Sequence, residues 1–176
     1  MSRRLAEGFS GDTAPEGAVV HAVVALGANL GDRATTLDAA VAALRRLPLV
    51  EDVRAADPIE SVAVTPEGPD AAAPAYLNSV AVLSTRLAPS VLLSYLHAIE
   101  DAHGRVRRER WGDRTLDLDL IVYDDLVSDD PALTLPHPRA AERTFVLEPW
   151  LSIDPDAALP GAGRVDELLA QLRSGS

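Results

Sequence analysis

Alternating apolar and acidic residues mark the most regular pattern in this chain. Residues 115–123 read Thr-Leu-Asp-Leu-Asp-Leu-Ile-Val-Tyr. In a β-strand successive side chains point to opposite faces, so the three leucines and Val122 should face one side, and Asp117 and Asp119 the other. The pattern therefore predicts a strand that presents two neighbouring carboxylates on one face.

Apolar residues elsewhere recur with either strand or helix spacing, and together they predict a fold. The order of the predicted elements is β-α-β-β-α-β, which is typical of a ferredoxin-like α+β sandwich with an antiparallel sheet and both helices on one face. A Pro-His-Pro turn and a last helix follow as C-terminal additions. We predict strands near residues 19–26, 49–56, 76–85 and 115–123, and helices near residues 37–47, 89–104 and 165–172.

The sequence predicts a leader followed by one domain. Residues 1–18 are rich in Gly, Ser, Thr, Pro and charge without periodicity, and we expect a disordered leader. Residues 19–176 are then a single domain. Residues 57–74 contain four prolines and are predicted to form a long functional loop.

Composition excludes several kinds of chemistry. All 16 Lys+Arg residues are arginine and the chain has no cysteine, which excludes a P-loop lysine, a thiol nucleophile and a thiolate zinc site. The net charge is −11, yet residues 105–114 hold five arginines against Glu109 and Asp113. A focused basic patch on an acidic chain favours a compact anion such as a nucleotide over nucleic acid.

The arginine-rich segment runs directly into the aspartate strand, and this combination indicates a magnesium–polyphosphate site. Two adjacent carboxylates repel one another unless a cation lies between them, and Mg²⁺ prefers oxygen ligands on a rigid support. Guanidinium groups bind the phosphate oxygens that such a metal bridges. The simpler alternative is an edge strand with a solvated acidic face.

Several further motifs lie in order along residues 20–160. They are Ala-Leu-Gly-Ala-Asn-Leu-Gly-Asp at residues 25–32, Tyr-Leu-Asn at 76–78, Leu-Pro-His-Pro at 135–138 and Glu-Arg-Thr-Phe-Val-Leu-Glu-Pro at 142–149. The most specific motif is Arg-Trp-Gly-Asp-Arg-Thr-Leu-Asp-Leu-Asp within residues 104–120. Together these motifs resemble those of the 6-hydroxymethyl-7,8-dihydropterin pyrophosphokinases of folate biosynthesis.

The resemblance implies transfer of the β,γ-pyrophosphate of MgATP to the pterin hydroxymethyl group, with release of AMP. On the phosphate side it implies catalytic loop arginines, nucleotide contacts and ligands for two Mg²⁺ ions. The matching residues are Arg105 and Arg107 for the loop, Glu100, Arg110, Trp111, Arg114, His137 and Arg143 for ATP, and Asp117 and Asp119 for the metal.

On the pterin side the resemblance implies two stacking aromatics, Tyr76 and Phe145, an edge-reading amide, Asn78, and the site-closing Trp111. Strand alternation independently places Tyr76 and Asn78 on one face. Ser61 is matched to a pterin-contacting threonine, although the usual Tyr-x-Thr-x-Pro sequence is missing here.

Two readings of other classes remain at this stage. One is a non-catalytic nucleotide-binding module with a regulatory role, and the other is a metal-dependent phosphohydrolase that uses the aspartate pair. The arginine loop is also one residue shorter than in many relatives, so Arg108 and Arg110 can exchange roles. We expect a cytoplasmic monomer that binds ATP and the pterin, but neither nucleic acid nor membrane.

Overall fold

One antiparallel sheet organises the structure, which is a computed structural model describing residues 17–65, 67–104 and 115–175. Four long strands lie in the order β2–β6–β1–β7, and the short strand β3 pairs with the start of β6. The strands in and beside this sheet are β1 (Val20–Ala28), β2 (Val50–Ala55), β3 (Ile59–Ser61), β4 (Ala63–Thr65), β5 (Gly68–Asp70), β6 (Tyr76–Thr85) and β7 (Asp117–Tyr123).

Two helices cover one face of the sheet. They are α1 (Arg33–Arg45) and α2 (Pro89–Ala102). Asp32 caps α1 by accepting a hydrogen bond from the Thr35 amide, and the proline at the start of α2 fits the first helical turn, where no amide is needed. Leu44 of α1 and Leu92 and Leu96 of α2 are fully buried. At about 1.5–3 kcal/mol for each buried leucine, this layer contributes substantially to the fold.

Two C-terminal helices cover the opposite face. They are α3 (Thr144–Ile153) and α4 (Val165–Ser174), whose buried residues include Val146, Trp150 and Leu169. The sheet is therefore covered on both sides, which explains why β6 is buried almost continuously along its length. A 3-10 turn (Ala140–Glu142) precedes α3, and the small strands between the larger elements are β8 (Ser128–Asp130), β9 (Leu133–Leu135), β10 (Ala158–Leu159) and β11 (Gly163–Arg164).

The sequence prediction of a long loop at residues 57–74 was wrong. This segment contains β3, which extends the sheet along β6, and the β4–β5 hairpin, in which Ala63 pairs with Asp70. The prolines favoured a loop in the prediction, because proline cannot donate a hydrogen bond within a sheet. Proline is nevertheless tolerated in edge strands, where no such donor is required.

The prediction for Val122 was also wrong. The pairing of β7 with β1 shifts between Val23 and Val24, so that Ile121 is an extra residue. Such a bulge reverses the alternation beyond it. Val122 therefore packs in the core under α3 and α4, together with Ile121, while the leucines of β7 pack under α1 and α2.

The predicted leader lies almost entirely outside the described residues, of which Gly17 is the first. Within the parts of the chain that the structure describes, no helix is both long enough and apolar enough to cross a membrane.

Candidate active site

Three adjacent strands place polar side chains and a glycine in one row across the sheet. Gly27 of β1 pairs with Asp117 of β7 on one side and with Asn78 of β6 on the other. Directly paired residues in antiparallel strands face the same side of a sheet. The next residue of β1 on that face, Ala25, packs against the core under α3 and α4. The row therefore lies on the α3 face, and Asp117 and Asp119 share that face, as predicted from their spacing.

Gly27 lets two side chains of β6 lie close to the backbone of β1 in the middle of this row. A Cβ atom at this position would lie 3.4 Å from Asn78 Oδ1 and 3.6 Å from Tyr76 Cδ1. The amide and the aromatic ring therefore lie against the bare backbone of β1. A side chain larger than a methyl group at this position would displace one or both of them.

Asn78 and Ser61 form a buried polar pair beside the glycine. Asn78 is 5% exposed and its Nδ2 donates a hydrogen bond to Ser61 Oγ at 2.7 Å. Ser61 is paired in register with Tyr76, so the side chains of all three residues lie at the β3–β6 edge of the same face. This arrangement fixes the rotamer of Asn78, whose amide has one further N–H and a carbonyl oxygen to offer.

Asp119 lies against the start of α3. Its Oδ2 is 3.4 Å from Arg143 Nη1, and the Arg143 guanidinium is 5.7 Å from the centre of the Phe145 ring. Arg143 is 21% exposed in its side chain and Asp119 is 45% exposed, so the pair opens to solvent on the carboxylate side. The helix start, the guanidinium and the carboxylate thus bring together charges that suit both an anion and a cation.

His137 approaches the same carboxylate from the segment before α3. Its backbone amide donates to Ile121 O at 2.8 Å, which adds the residue to the edge of β7. Its Nδ1 accepts from the Arg139 amide at 3.2 Å, so a neutral ring carries its proton on Nε2. Burial lowers the pKa of His137 below 6.5, the Asp119 charge opposes this, and Arg143 and Arg139 lower the pKa further. A neutral imidazole with an outward N–H is therefore favoured.

Glu100 is not part of this cluster on the α3 face. It lies near the end of α2 with 3% exposure, and its Oε1 accepts a hydrogen bond from the Leu118 amide at 2.8 Å. Leu118 separates the two aspartates, so Glu100 holds the backbone of the strand that carries them. The sequence resemblance had implied a nucleotide-side position for this residue.

The predicted loop residues fall outside the described part of the chain. They are Arg105, Arg107, Arg110, Trp111 and Arg114. Among the residues that are described, no group of three or more His, Cys, Asp and Glu side chains could enclose a metal. Asp117 and Asp119 supply hard oxygen donors on a rigid strand, which fits a Mg²⁺ that takes its other ligands from water and substrate phosphates.

Two residues of this region were not singled out by the sequence reasoning. Gly27 belongs to the motif at residues 25–32, but the sequence did not indicate a role for it. The pairing register shows that it lies between Asn78 and Asp117. Arg33 was missed because its partners, Glu60 and the carbonyl of Ala75, lie 27 and 42 residues away in the chain.

Known proteins are similar to this chain in sequence and in fold. Residues 23–155 match the family described as 7,8-dihydro-6-hydroxymethylpterin-pyrophosphokinase (HPPK). Relatives named 2-amino-4-hydroxy-6-hydroxymethyldihydropteridine pyrophosphokinase include one from Pseudomonas aeruginosa, 44% identical over 84% of this chain and 88% of its own length. Another, from Synechocystis, is 41% identical over 86% of this chain and 75% of its own length.

A solved structure shares the fold at low sequence identity. A crystal structure of Plasmodium falciparum HPPK-DHPS superposes with a TM-score of 0.70 at 12% identity, over 92% of this chain and 47% of that one. The chain thus spans about half the length of that structure, and this likeness concerns the fold alone. With the match to residues 23–155 and the relatives above 40% identity, the chain belongs to the HPPK family.

Proposed function

We propose that the sheet-face site built around Gly27 is where this chain performs the reaction of its family. That reaction is pyrophosphoryl transfer from ATP to the hydroxymethyl group of 6-hydroxymethyl-7,8-dihydropterin, in folate synthesis. The observation that carries the assignment is the register of β1, which sets Asp117 and Asn78 on either side of a residue without a side chain.

The pterin end of the site is assigned to the β3–β6 edge. A flat bicycle with an amide edge needs aromatic faces for stacking and a neutral donor–acceptor group that reads the edge. Tyr76 and Phe145 are proposed to stack on the two faces of the ring. Asn78, oriented by Ser61 at 2.7 Å, is proposed to pair with the amide edge.

The phosphate end is assigned to the β7 side. His137 would donate a hydrogen bond from its Nε2–H to a phosphate oxygen without adding a full positive charge. Arg143 would replace part of its contact with Asp119 by a contact with the phosphates. The start of α3 adds a favourable field for an anion. These residues bind and orient the triphosphate, which is most of what catalysis of phosphoryl transfer requires of a protein.

Asp117 and Asp119 are proposed to hold Mg²⁺, and we infer two ions. When bound, the metal supplies Lewis-acid stabilisation of charge on the transferred group and on the attacking oxygen. The protein contributes two carboxylates held at fixed spacing by the β1–β7 pairing and by the Glu100 contact to Leu118.

The arginine segment is proposed to complete the site. Arg105 and Arg107 are assigned to closure over the phosphates, Arg110 and Arg114 to the nucleotide, and Trp111 to the outer wall. Support for these roles comes from the sequence motif and from the position of the segment, which begins after α2 and ends just before β7. Glu100 is proposed to contribute to the nucleotide side through the strand that it holds.

The remaining assignments concern the whole chain. We infer a ferredoxin-like core, which the order β2–β6–β1–β7 and the placement of α1 and α2 on one face support. We further propose a single domain over residues 19–176, a monomer and a cytoplasmic location.

The position of the transferred atoms provides the test of function. ATP labelled separately at the β and γ phosphates should deliver both labels to the pterin alcohol, with AMP formed in equal amount. Transfer of the γ label alone, with ADP, would make the protein a monophosphate kinase. Labelled inorganic phosphate without a pterin product would favour a phosphohydrolase, and binding of ATP without turnover would favour a regulatory module.

A further inference from the structure

Arg33 bridges two strands next to the proposed pterin pocket. This residue begins α1, and its Nη1 donates to the carbonyl of Ala75 at 2.6 Å while its Nη2 donates to Glu60 Oε1 at 2.8 Å. Glu60 lies in β3 and Ala75 immediately precedes β6. A single guanidinium therefore joins the start of α1 to both strands at this edge of the sheet.

The residues that Arg33 contacts are direct chain neighbours of the proposed pterin ligands. Glu60 precedes Ser61, which orients Asn78, and Ala75 precedes Tyr76. Between the two contacts the chain leaves the sheet to form the β4–β5 hairpin. Arg33 thus contacts the chain both where it leaves the sheet, at Glu60, and where it returns, at Ala75. Both points lie next to the proposed pocket.

An ordinary surface ion pair is the alternative, and the geometry argues against it. Exposed pairs between flexible side chains contribute little, because ordering two side chains offsets most of the attraction. The Glu60 side chain is 65% exposed, so the ion pair by itself is of this weak kind. Arg33 is only 29% exposed in its side chain, and its other contact is to a part-buried backbone carbonyl, which cannot move away as a side chain can. The planar fork of arginine can serve this fixed acceptor and the carboxylate at the same time.

We propose that Arg33 is a positioning residue for pterin recognition. It acts through Ser61 and Tyr76 and does not touch the substrate. The inference rests on the proposed pterin pocket. It implies that loss of Arg33 loosens the β3–β6 edge and weakens pterin binding selectively, while the phosphate end on β7, two strands away, keeps its geometry.

Steady-state kinetics with separate pterin and ATP titrations test this. Arg33→Met, which keeps the length of the side chain but removes both hydrogen bonds, should raise the KM for the pterin about tenfold, in line with the loss of a charge-assisted hydrogen bond. The KM for ATP and the kcat at saturating pterin should change by less than about threefold. Arg33→Lys should recover part of the loss, because an ammonium can serve one acceptor but not both in fork geometry.

Arg86 provides the matched control. It follows the other end of β6 and pairs with Glu51 at 2.7 Å, with 47% exposure on each side chain. Arg86→Met should leave the KM for the pterin unchanged. Glu60→Gln should raise that KM less than Arg33→Met does, and this variant carries the test if Arg33→Met does not fold.

The results distinguish a wrong role for Arg33 from a wrong assignment of the pterin pocket. An equal rise in both KM values, or the same rise in Arg86→Met, would assign Arg33 to general stability and overturn the proposal. If Asn78→Ala raises the KM for the pterin but Arg33→Met does not, the pocket stands and the role of Arg33 is wrong. If neither variant changes it, the pocket assignment fails and the inference fails with it.

Discussion

Arg143 Nη1 lies 3.4 Å from Asp119 Oδ2, so the guanidinium partly neutralises one of the two carboxylates proposed to bind metal. Arg143 also lies over the Phe145 ring, at 5.7 Å from its centre. One side chain therefore contacts both the proposed metal end and a proposed pterin-stacking ring. If Arg143 binds phosphate as proposed, these contacts change when ATP binds.

Replacement of Arg143 should affect both ATP binding and turnover. We expect Arg143→Met to raise the KM for ATP and lower kcat, each by about tenfold or more, because a phosphate-binding charge is lost. Arg143→Lys should keep the charge but lose the planar contact over Phe145, so a smaller loss in ATP affinity is expected. Initial rates of AMP formation measure both. Normal kinetics in Arg143→Met would remove this residue from the phosphate site.

The aspartates should be essential for turnover but not for folding. We expect Asp117→Asn and Asp119→Asn each to lower the rate of AMP formation by about a thousandfold, since charge stabilisation by a bound metal typically supplies an effect of this size. The melting temperature should change little, because neither side chain belongs to the core. Glu51→Gln, on the opposite edge strand β2, is the control. Near-normal Mg²⁺-dependent rates in either aspartate variant would contradict the metal assignment.

The amide pair should control pterin binding. Asn78→Ala should lower pterin affinity by about 1–3 kcal/mol while ATP affinity is retained, because polar atoms at the ligand edge lose their partner. Ser61→Ala should have a smaller effect of the same kind, since it removes only the contact that orients Asn78. Calorimetric titrations with each ligand measure this, and equal losses for both ligands would place Asn78 in general folding.

The absence of a side chain at Gly27 should also affect pterin binding. Gly27→Ala would bring a methyl group to 3.4 Å from Asn78 Oδ1, in the middle of the row. We expect several-fold weaker pterin binding with a modest fall in melting temperature. Ala25, the next residue of β1 on this face, already carries a methyl group, so the strand itself accepts one. Unchanged pterin affinity in Gly27→Ala would show that the ligand does not approach this backbone.

His137 should be neutral in the ligand-free protein at neutral pH. Its pKa is lowered below 6.5, mainly by burial, so the unfolded chain takes up a proton first as the pH falls. The folded state should therefore lose stability below about pH 6.5, and the loss should level off once the pH passes the lower pKa of the folded chain. NMR titration of the ring, compared with the chain in urea, measures the shift. A midpoint at or above the value in urea would contradict it.

The proton on Nε2 gives His137 a second test. His137→Gln keeps an N–H donor near the position of Nε2, whereas His137→Ala removes it. We expect the glutamine variant to retain clearly more activity than the alanine variant at neutral pH. Equal activities would mean that the donor is not used.

Local patterns were sufficient for much of the site. Alternation alone predicted the shared face of Asp117 and Asp119 and that of Tyr76 and Asn78, because side-chain direction in a strand depends only on the backbone. The ends of β6 were predicted to the residue.

Features that depend on pairing between distant segments could not be predicted in this way. The bulge at Ile121 is a mismatch between β1 and β7, and neither strand alone carries a signal for it. The contacts of Arg33 join residues up to 42 positions apart, and nothing near that arginine in the sequence identifies its partners. The β4–β5 hairpin was obscured by the prolines around it.

The register of β1 also sets a length. Asp117 and Asn78 are each one strand away from Gly27, and neighbouring strands are about 4.8 Å apart, so the backbones that carry the carboxylate and the amide are separated by roughly 10 Å. Backbone hydrogen bonds define that separation, and no loop contributes to it. The hairpin and the arginine segment can therefore vary in length and sequence among relatives while the spacing between the two ends of the site is preserved.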